Sequence, residues 1–501
     1  MNERPPTPPD RPATDGVPPR RPLARRLLGE SAVYGLGGVA SQALAIILVP
    51  IYARTLGVAN YGTVAILTTT LSLSTLVVTL ALPQAFFRSY LNEADDDRER
   101  AAVLRTAAGL RLVVSLLGAL LLGALAIPLA VLLLGGGDDW LLIALLAVIV
   151  FFDTVNLVPL SLLRADRRPR AYAAISFSRA VLGSLLIVLF VVWLGLGVLG
   201  VVLGSLVSAA VSATAGGLLL ARDGRLQLSL DRRLARHMLV FSLPLVPASV
   251  AGWTLNLSDR YIVQAFGDAR DVGLYSAGYT VGLAINALAI APFTLAWGAA
   301  YWEIARQANA RDVIARVLTG FVAVAALVAL ALGALATDAI RILLTPDFED
   351  ARFVTLFSAF AYVFYGVFTI ATTGLALENQ TRRVPLVMGT AAAANVVLNL
   401  ALVPLIGFMG AAVSTLASYA LLAVLGGIVS QRYYLVPWEL RRVAALLALA
   451  MGLAAAAVLG PDHIAWRLLC VAVYPVAVVG LRIVPSRLLE RLMRLLKRET
   501  T

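Results

Sequence analysis

The chain has 501 residues, length for about three soluble domains, but 60% are hydrophobic, 14% are charged and the mean hydropathy is +0.86. Soluble domains are about a quarter charged, so too few charges exist to cover a globule of this size, and the chain reads as an integral membrane protein. One cysteine, Cys470, excludes a disulfide within the chain, and two histidines far apart, His237 and His463, form no metal cluster. A nucleotide-hydrolysing or metal-dependent enzyme is therefore not expected, and neither is a cofactor. The net charge of +12 is carried by short arginine clusters between apolar runs. That placement marks membrane topology and not nucleic-acid binding.

Residues 1–28 hold eight prolines with interspersed arginines. Such a segment cannot nucleate a helix or bury a core, and it reads as a disordered cytoplasmic tail without the apolar centre of a secretory signal. From Ser31 onward, apolar runs of about 20 residues, each long enough to cross a bilayer, fall at 31–52, 61–82, 103–134, 140–163, 171–194, 198–221, 239–266, 274–300, 313–336, 353–377, 384–405, 409–430, 441–460 and 464–484. The fold class is therefore all-α, with about 14 transmembrane helices. With the amino terminus inside, 33 of the 41 basic residues lie in segments on the cytoplasmic side. Only Arg54, Arg270, Arg341, Arg352 and Arg467 lie on the other side, and Arg111, Arg179 and Arg260 lie within spans. The asymmetry places both termini in the cytoplasm of a plasma-membrane protein.

The chain repeats itself. Leu56-Gly57 and Tyr61-Gly62 match Phe266-Gly267 and Val272-Gly273, while Leu196-Gly197-Val198-Leu199-Gly200 matches Ile406-Gly407-Phe408-Met409-Gly410. Both turns recur 210 residues apart. Six spans separate the copies, so the halves share one orientation and are related by an axis along the membrane normal, with the substrate path between them. The expected division is a tail (1–28), an N-terminal lobe (29–221), a C-terminal lobe (222–435), and two further helices with a basic tail (436–501).

Three stretches carry a family likeness. Val49-Pro50-Ile51-Tyr52-Ala53-Arg54-Thr55-Leu56-Gly57 resembles the opening of polysaccharide-export flippases. So do Ser258-Asp259-Arg260-Tyr261-Ile262 with Gly273-Leu274-Tyr275-Ser276, and Asn395-Val396-Val397-Leu398-Asn399-Leu400 with Pro404 and Gly407 to Ala411. These Wzx-type flippases belong to the multidrug/oligosaccharidyl-lipid/polysaccharide exporter superfamily. The resemblance covers residues 30–435 and implies two six-helix lobes around a cavity that opens alternately to either face. It further implies export of a polyprenyl-pyrophosphate-linked oligosaccharide, with membrane lipids, a polysaccharide polymerase and glycosyltransferases as partners. Fourteen spans also resemble the superfamily's peptidoglycan-precursor flippases. Those place arginines in the first helix, where this chain offers Ser41 and Gln42 before Arg54.

Such a cargo needs a polar path for sugars and a cationic site for pyrophosphate. Arg111 and Arg179 lie roughly 9 and 14 Å deep, Arg88 sits at the cytoplasmic mouth of the second span, and guanidinium groups bind phosphate through paired hydrogen bonds. The alternative is that each snorkels or pairs structurally. Asp153, roughly 16 Å deep, comes level with Arg179 across the hairpin of spans 4 and 5, so the two are expected to pair, as a strut or as a switch. Asp259 and Arg260 lie near the outer end of span 7, pointing about 100° apart. They suit a gate, a coupling site or an interfacial anchor. Gln42, Asn256, Asn286, Asn395 and Asn399 are polar candidates for the sugar path or for helix-to-helix contacts, and Pro244, Pro247 and Pro292 mark bends.

Two rival functions remain. A multidrug or cation antiporter of the superfamily needs membrane carboxylates, and only Asp153 and Asp259 qualify, since Glu303 and Glu378 fall at cytoplasmic edges. A membrane glycosyltransferase would bring a large outer loop, and the outer loop 337–352, with Asp338, Asp347, Glu349 and Asp350, is short. Three intramembrane arginines against two acids favour an anionic cargo.

Overall fold

The computed structural model describes residues 21–480, with the backbone alone for most of 21–47. Among the described residues the secondary structure is helical throughout, with no strand. The first group of helices is α1 (Arg21–Thr79), α2 (Leu82–Arg88), α3 (Asp97–Ala124), α4 (Ala126–Leu134), α5 (Trp140–Val155), α6 (Leu157–Ala165), α7 (Pro169–Val188) and α8 (Gly197–Arg222). The second is α9 (Arg232–Ser242), α10 (Val246–Leu257), α11 (Asp259–Phe266), α12 (Ala269–Gly282), α13 (Ala291–Ile304), α14 (Ala310–Ala334), α15 (Ala336–Leu343), α16 (Ala351–Ala371), α17 (Thr373–Leu377), α18 (Val384–Ile406) and α19 (Phe408–Gln431). Two more helices, α20 (Leu440–Leu459) and α21 (Ile464–Gly480), complete the described chain.

Twelve of the described segments are long and apolar enough to cross a membrane, and the 17-residue α21 is a shorter apolar helix. They follow the spans expected from sequence. The count of fourteen is not established, because the span at 31–52 falls largely on residues whose side chains are not described. The proline-rich tail also ends earlier than expected. Helix α1 starts at Arg21, because Pro22 is tolerated in a first helical turn and Leu23, Ala24 and Leu27 are strong helix formers.

Two breaks divide α1 and its continuation. At Gly57 the backbone takes φ 71° and ψ 177°, a conformation open to glycine alone, so the first two spans join through one residue. At Leu80 and Ala81, φ is 49° and 51°, left-handed values that cost about 1–2 kcal/mol per residue. A break inside a bilayer is tolerated only where the freed carbonyls find partners. Arg111 supplies them, donating from Nη1 to the Val78 carbonyl and from Nη2 to the Thr79 carbonyl, both at 3.2 Å. The bends foreseen at prolines fall at the 3-10 turn Leu243–Leu245 between α9 and α10, and at the wide turn Asn286–Ile290 that precedes Pro292.

Within the first group, α5 lies between α3 and α8 and α7 packs along α8. In the second, α16 lies among α12, α14 and α19, with α18 on α19 and α10. The hairpin α18–α19 thus repeats the hairpin of α7 and α8. Buried polar pairs tie helices in the first group, Thr154 to Ser115 at 2.8 Å and Asn156 to Ser212 at 2.9 Å. Helices α20 and α21 lean on α14, where Ala325, Ala326 and Ala329 are wholly buried. Small side chains there let helices approach closely, the usual source of cohesion between helices in lipid.

Candidate functional site

The two helix groups meet along α1, α2, α3 and α4 on one side and α9, α10, α11 and α12 on the other. At the arginine-poor ends of the helices, the first turn of α1 after Gly57 crosses the first turn of α12. A Cβ at Gly62 would lie 1.7 Å from the Ala269 carbonyl oxygen, and one at Gly273 would lie 2.1 Å from that of Val58. Each glycine therefore admits the other chain segment, and the contact is reciprocal about the axis that relates the repeats. Val58, Tyr61, Leu274, Ala277 and Phe348 are buried around it, with Tyr61 edge-on to Phe348 at 5.7 Å. Arg54 Nη2 donates to the Ile342 carbonyl at 2.9 Å. This end is closed.

At mid-height, Tyr261 on α11 donates to Thr70 Oγ1 on α1 at 2.9 Å. At the arginine-rich end, α2 packs on α9. There Arg88 lies 4.6 Å from the centre of the Phe241 ring and pairs with Glu93 at 2.7 Å, and Glu93 also meets His237 Nε2 at 3.1 Å. Arg88 thus stands at the junction of the two groups.

Between these levels in the first group, Arg179 Nη2 on α7 donates to Asp153 Oδ1 on α5. The pair is partly open, with the arginine side chain 32% and the aspartate side chain 19% exposed. An arginine held by a neighbour yet still reachable can exchange its carboxylate partner for a phosphate oxygen. Arg111 is different. Its guanidinium is buried and spent on the Val78 and Thr79 carbonyls. In this arrangement its donors cap the break at Leu80, which is the structural alternative for this arginine.

The second group is organised around Asp259, fully buried at the start of α11. Its carboxylate accepts from Tyr275 at 2.5 Å, from Thr415 Oγ1 at 2.7 Å and from Asn399 Nδ2 at 2.9 Å. Asn399 Nδ2 also reaches Asn395 Oδ1 at 3.1 Å. Asn256 Oδ1 accepts from Tyr362 at 3.1 Å and Tyr419 at 2.7 Å, and Tyr279 meets Tyr362 at 3.1 Å. Arg260 is buried beside this cluster, 4.9 Å from the Tyr279 ring centre and 5.8 Å from that of Tyr275. As foreseen, Asp259 and Arg260 make no hydrogen bond to each other. They lie within one helix group, and the helix-to-helix alternative describes Asn256, Asn395 and Asn399 better than a sugar path.

Asn399 Oδ1 and Asn395 Nδ2 are buried with no partner among the described residues. The groups around the Asp259 carboxylate are hydroxyl and amide donors, so a cation there would have to displace them, whereas a proton needs no such ligand shell. Among the described residues no group of three His, Cys, Asp or Glu side chains could hold a metal ion. Asn286 sits half-buried at the wide turn before α13, and no hydrogen bond engages its side chain among the described residues. Gln42 lies outside the described side chains.

The tyrosines and Thr415 were missed in the sequence. Their signal was the i, i+4 spacing of Tyr275 with Tyr279 and of Thr415 with Tyr419, which puts each pair on one helix face. Four hydroxyls on inward faces of apolar helices are a polar cluster in waiting.

The described helices form a membrane bundle of two helix groups with matching turns, packed against each other at the arginine-poor end and each carrying a charged cluster. A family model described as polysaccharide biosynthesis protein matches residues 27–297, more than half of the chain, and the chain belongs to that family. The fold is similar to that of "Lipid II flippase MurJ, inward closed conformation" (TM-score 0.71, 12% identity, covering 90% of this chain and 99% of that one). It is also similar to that of an inward-facing multidrug resistance MATE family transporter of the MOP superfamily (TM-score 0.62, 16% identity, covering 81% and 95%). No curated protein matches the sequence.

Proposed function

We propose that the protein is a flippase that moves a polyprenyl-pyrophosphate-linked oligosaccharide from the inner to the outer leaflet of the plasma membrane by alternating access, without enzymatic activity of its own. The observation that carries this reading is the partly open Asp153–Arg179 pair in a member of the polysaccharide biosynthesis family. In this reading residues 29–221 and 222–435 are the two lobes, residues 436–501 are an appendix, and both termini are cytoplasmic. The polymerase and glycosyltransferases of one assembly pathway supply and consume the cargo.

Arg179 takes the pyrophosphate, and Arg88 meets it at the cytoplasmic mouth. Asn286 offers an unengaged amide to the sugars. Asp259 and Arg260 form the coupling site, where uptake of a proton changes the charge at the centre of the C-terminal lobe. The membrane potential, inside negative, already favours outward movement of an anion by about 2.3 kcal/mol per charge per 100 mV. Desolvating the pyrophosphate is then the larger obstacle, and Arg179 offsets it.

The test replaces Arg179 by alanine and measures access of an external lectin to the lipid-linked glycan, with protein abundance in parallel. Export should fall while glycan synthesis continues. Arg179→Lys should restore it only in part, because it keeps the charge but loses the two-pronged geometry. Normal export by an abundant Arg179→Ala protein would overturn the reading. A peptidoglycan-precursor flippase is the second reading, favoured by the extent of the likeness to the lipid II flippase structure. It predicts rescue of cells depleted of their own precursor flippase, which the first reading does not.

A further inference from the structure

On the arginine-rich face, beside the packing of α3 on α9, a cavity of about 290 Å³ opens between the start of α3 and the segment that follows α8. Its walls are firm. Ser229 N donates to the Arg105 carbonyl at 3.3 Å, and Arg105 Nη1 donates to Gln227 Oε1 at 3.2 Å, so residues 225–229 are tied along α3. Tyr90 closes one side, donating to Asp166 Oδ1 at 3.2 Å.

Three guanidinium groups and one carboxylate line this space: Arg100, Arg105, Arg225 and Asp97. Their compensation is uneven. Arg225 is paired with Asp166. Arg100 reaches only Asp97, at 3.6 Å, and that carboxylate is fully exposed to solvent, where an ion pair contributes little. Arg100 Nε is buried without a hydrogen-bond partner. Arg105 has no carboxylate partner among the described residues, its remaining bonds running to Gln227 and the Ala101 carbonyl. A buried donor without an acceptor is costly, and guanidinium groups lining a polar hollow, two of them without a carboxylate beyond a fully exposed one, suit the several acceptor oxygens of a phosphate.

We infer that this cavity, lined by Arg100, Arg105 and Arg225 and not by Arg88 or Arg179, binds a phosphate group at the membrane surface. The group comes from the headgroup of an anionic phospholipid or from a soluble phosphate. Either source would hold the segment after α8, which leads into α9 and hence to the contact of α9 with α2. Occupancy would thereby steady the arginine-rich junction between the helix groups. The inference does not depend on which cargo is moved.

The experiment uses the full-length protein and the arginine reagent phenylglyoxal, with modification of Arg100 and Arg105 followed by peptide mass spectrometry. One arm adds inorganic phosphate against chloride at equal ionic strength. The other compares bilayer discs of phosphatidylglycerol with discs of phosphatidylcholine. Protection of both arginines by phosphatidylglycerol alone identifies a lipid headgroup, and protection by inorganic phosphate identifies a soluble anion. In Arg105→Gln, binding should weaken about ten-fold and Arg100 should lose its protection. Arg105→Lys should retain part of it. Equal modification rates in every medium would overturn the inference, as would unchanged protection of Arg100 in Arg105→Gln. Should that variant not fold, the wild-type rates decide the matter alone.

Discussion

Closure at the arginine-poor end rests on two glycines, and if the protein works by alternating access as proposed, adding one methyl group there should shift it toward the open arrangement. In the closed arrangement a Cβ at Gly62 sits 1.7 Å from the Ala269 carbonyl oxygen and 2.8 Å from the Gly273 nitrogen. Real Cβ contacts essentially never fall under 3.0 Å, so α1 and α12 must part by roughly 1.3 Å at this point. Both opposing atoms are backbone, so no side chain can rotate away. Overpacking of this kind costs about 1–3 kcal/mol. Spent on the closed state alone, it shifts the balance of states about 5- to 150-fold. The assay starts from a Cys470→Ala background, which removes the one cysteine, and adds Ala277→Cys in the seam, where Ala277 is wholly buried. An impermeant maleimide applied from the arginine-poor side should label this cysteine faster by about that factor in Gly62→Ala. Gly298→Ala, where no atom lies within 4 Å of the new methyl, should leave the rate unchanged. If Gly62→Ala yields folded protein with unaltered labelling, the seam is not the gate.

Three further outcomes follow from named contacts. Exchanging Asp153 and Arg179 should restore the stability that either Asp153→Ala or Arg179→Ala lowers; each single change should reduce the melting midpoint in detergent, by less than a fully buried pair would lose because both side chains are partly exposed, and losses in the exchange equal to the sum of both would show that they are not partners. Arg111→Met should lower the melting midpoint by leaving the Val78 and Thr79 carbonyls unpaired, about 1–3 kcal/mol for each, whereas export per folded molecule should stay near wild type; a selective loss of export would return Arg111 to the cargo path. Between α20 and α21, the Arg341 hydrogen bond to Asp462, followed by the charges of Arg341 and Arg467, holds the Asp462 carboxyl below its ordinary 3.8. A carboxyl pKa depressed by folding stabilises the folded state above the unfolded value, and that contribution is lost as pH falls through the folded value. Hydrogen exchange of residues 460–463 should therefore accelerate, after correction for intrinsic rates, when pH is lowered from 5 through and below about 3.8, and Asp462→Asn should show the faster exchange already at pH 7.

Much of this protein was legible without coordinates. Hydrophobic runs of bilayer length, interrupted by arginine clusters, locate the membrane segments, because lipid excludes unpaired backbone and charge alike. The 210-residue spacing of Gly57 with Gly267 and of Gly197 with Gly407 exposed the repeat, and equal depth across a hairpin sufficed to match Asp153 with Arg179. Each of those inferences uses distance along the chain. What the tertiary structure decided lies across it. Arg111 is a cap because the backbone turns left-handed at Leu80 and Ala81, and no propensity of leucine or alanine foretells that. Asp259 meets Tyr275, Thr415 and Asn399 because α11, α12, α18 and α19 converge, and its partners in α18 and α19 stand 140 and 156 residues away. Gly62 and Gly273 served in sequence only as markers of the repeat; the crossing of α1 and α12 shows that they admit each other's helices. Helical periodicity is a local property of the chain, whereas pairing among a dozen similar apolar helices depends on which small and polar side chains fit together in three dimensions.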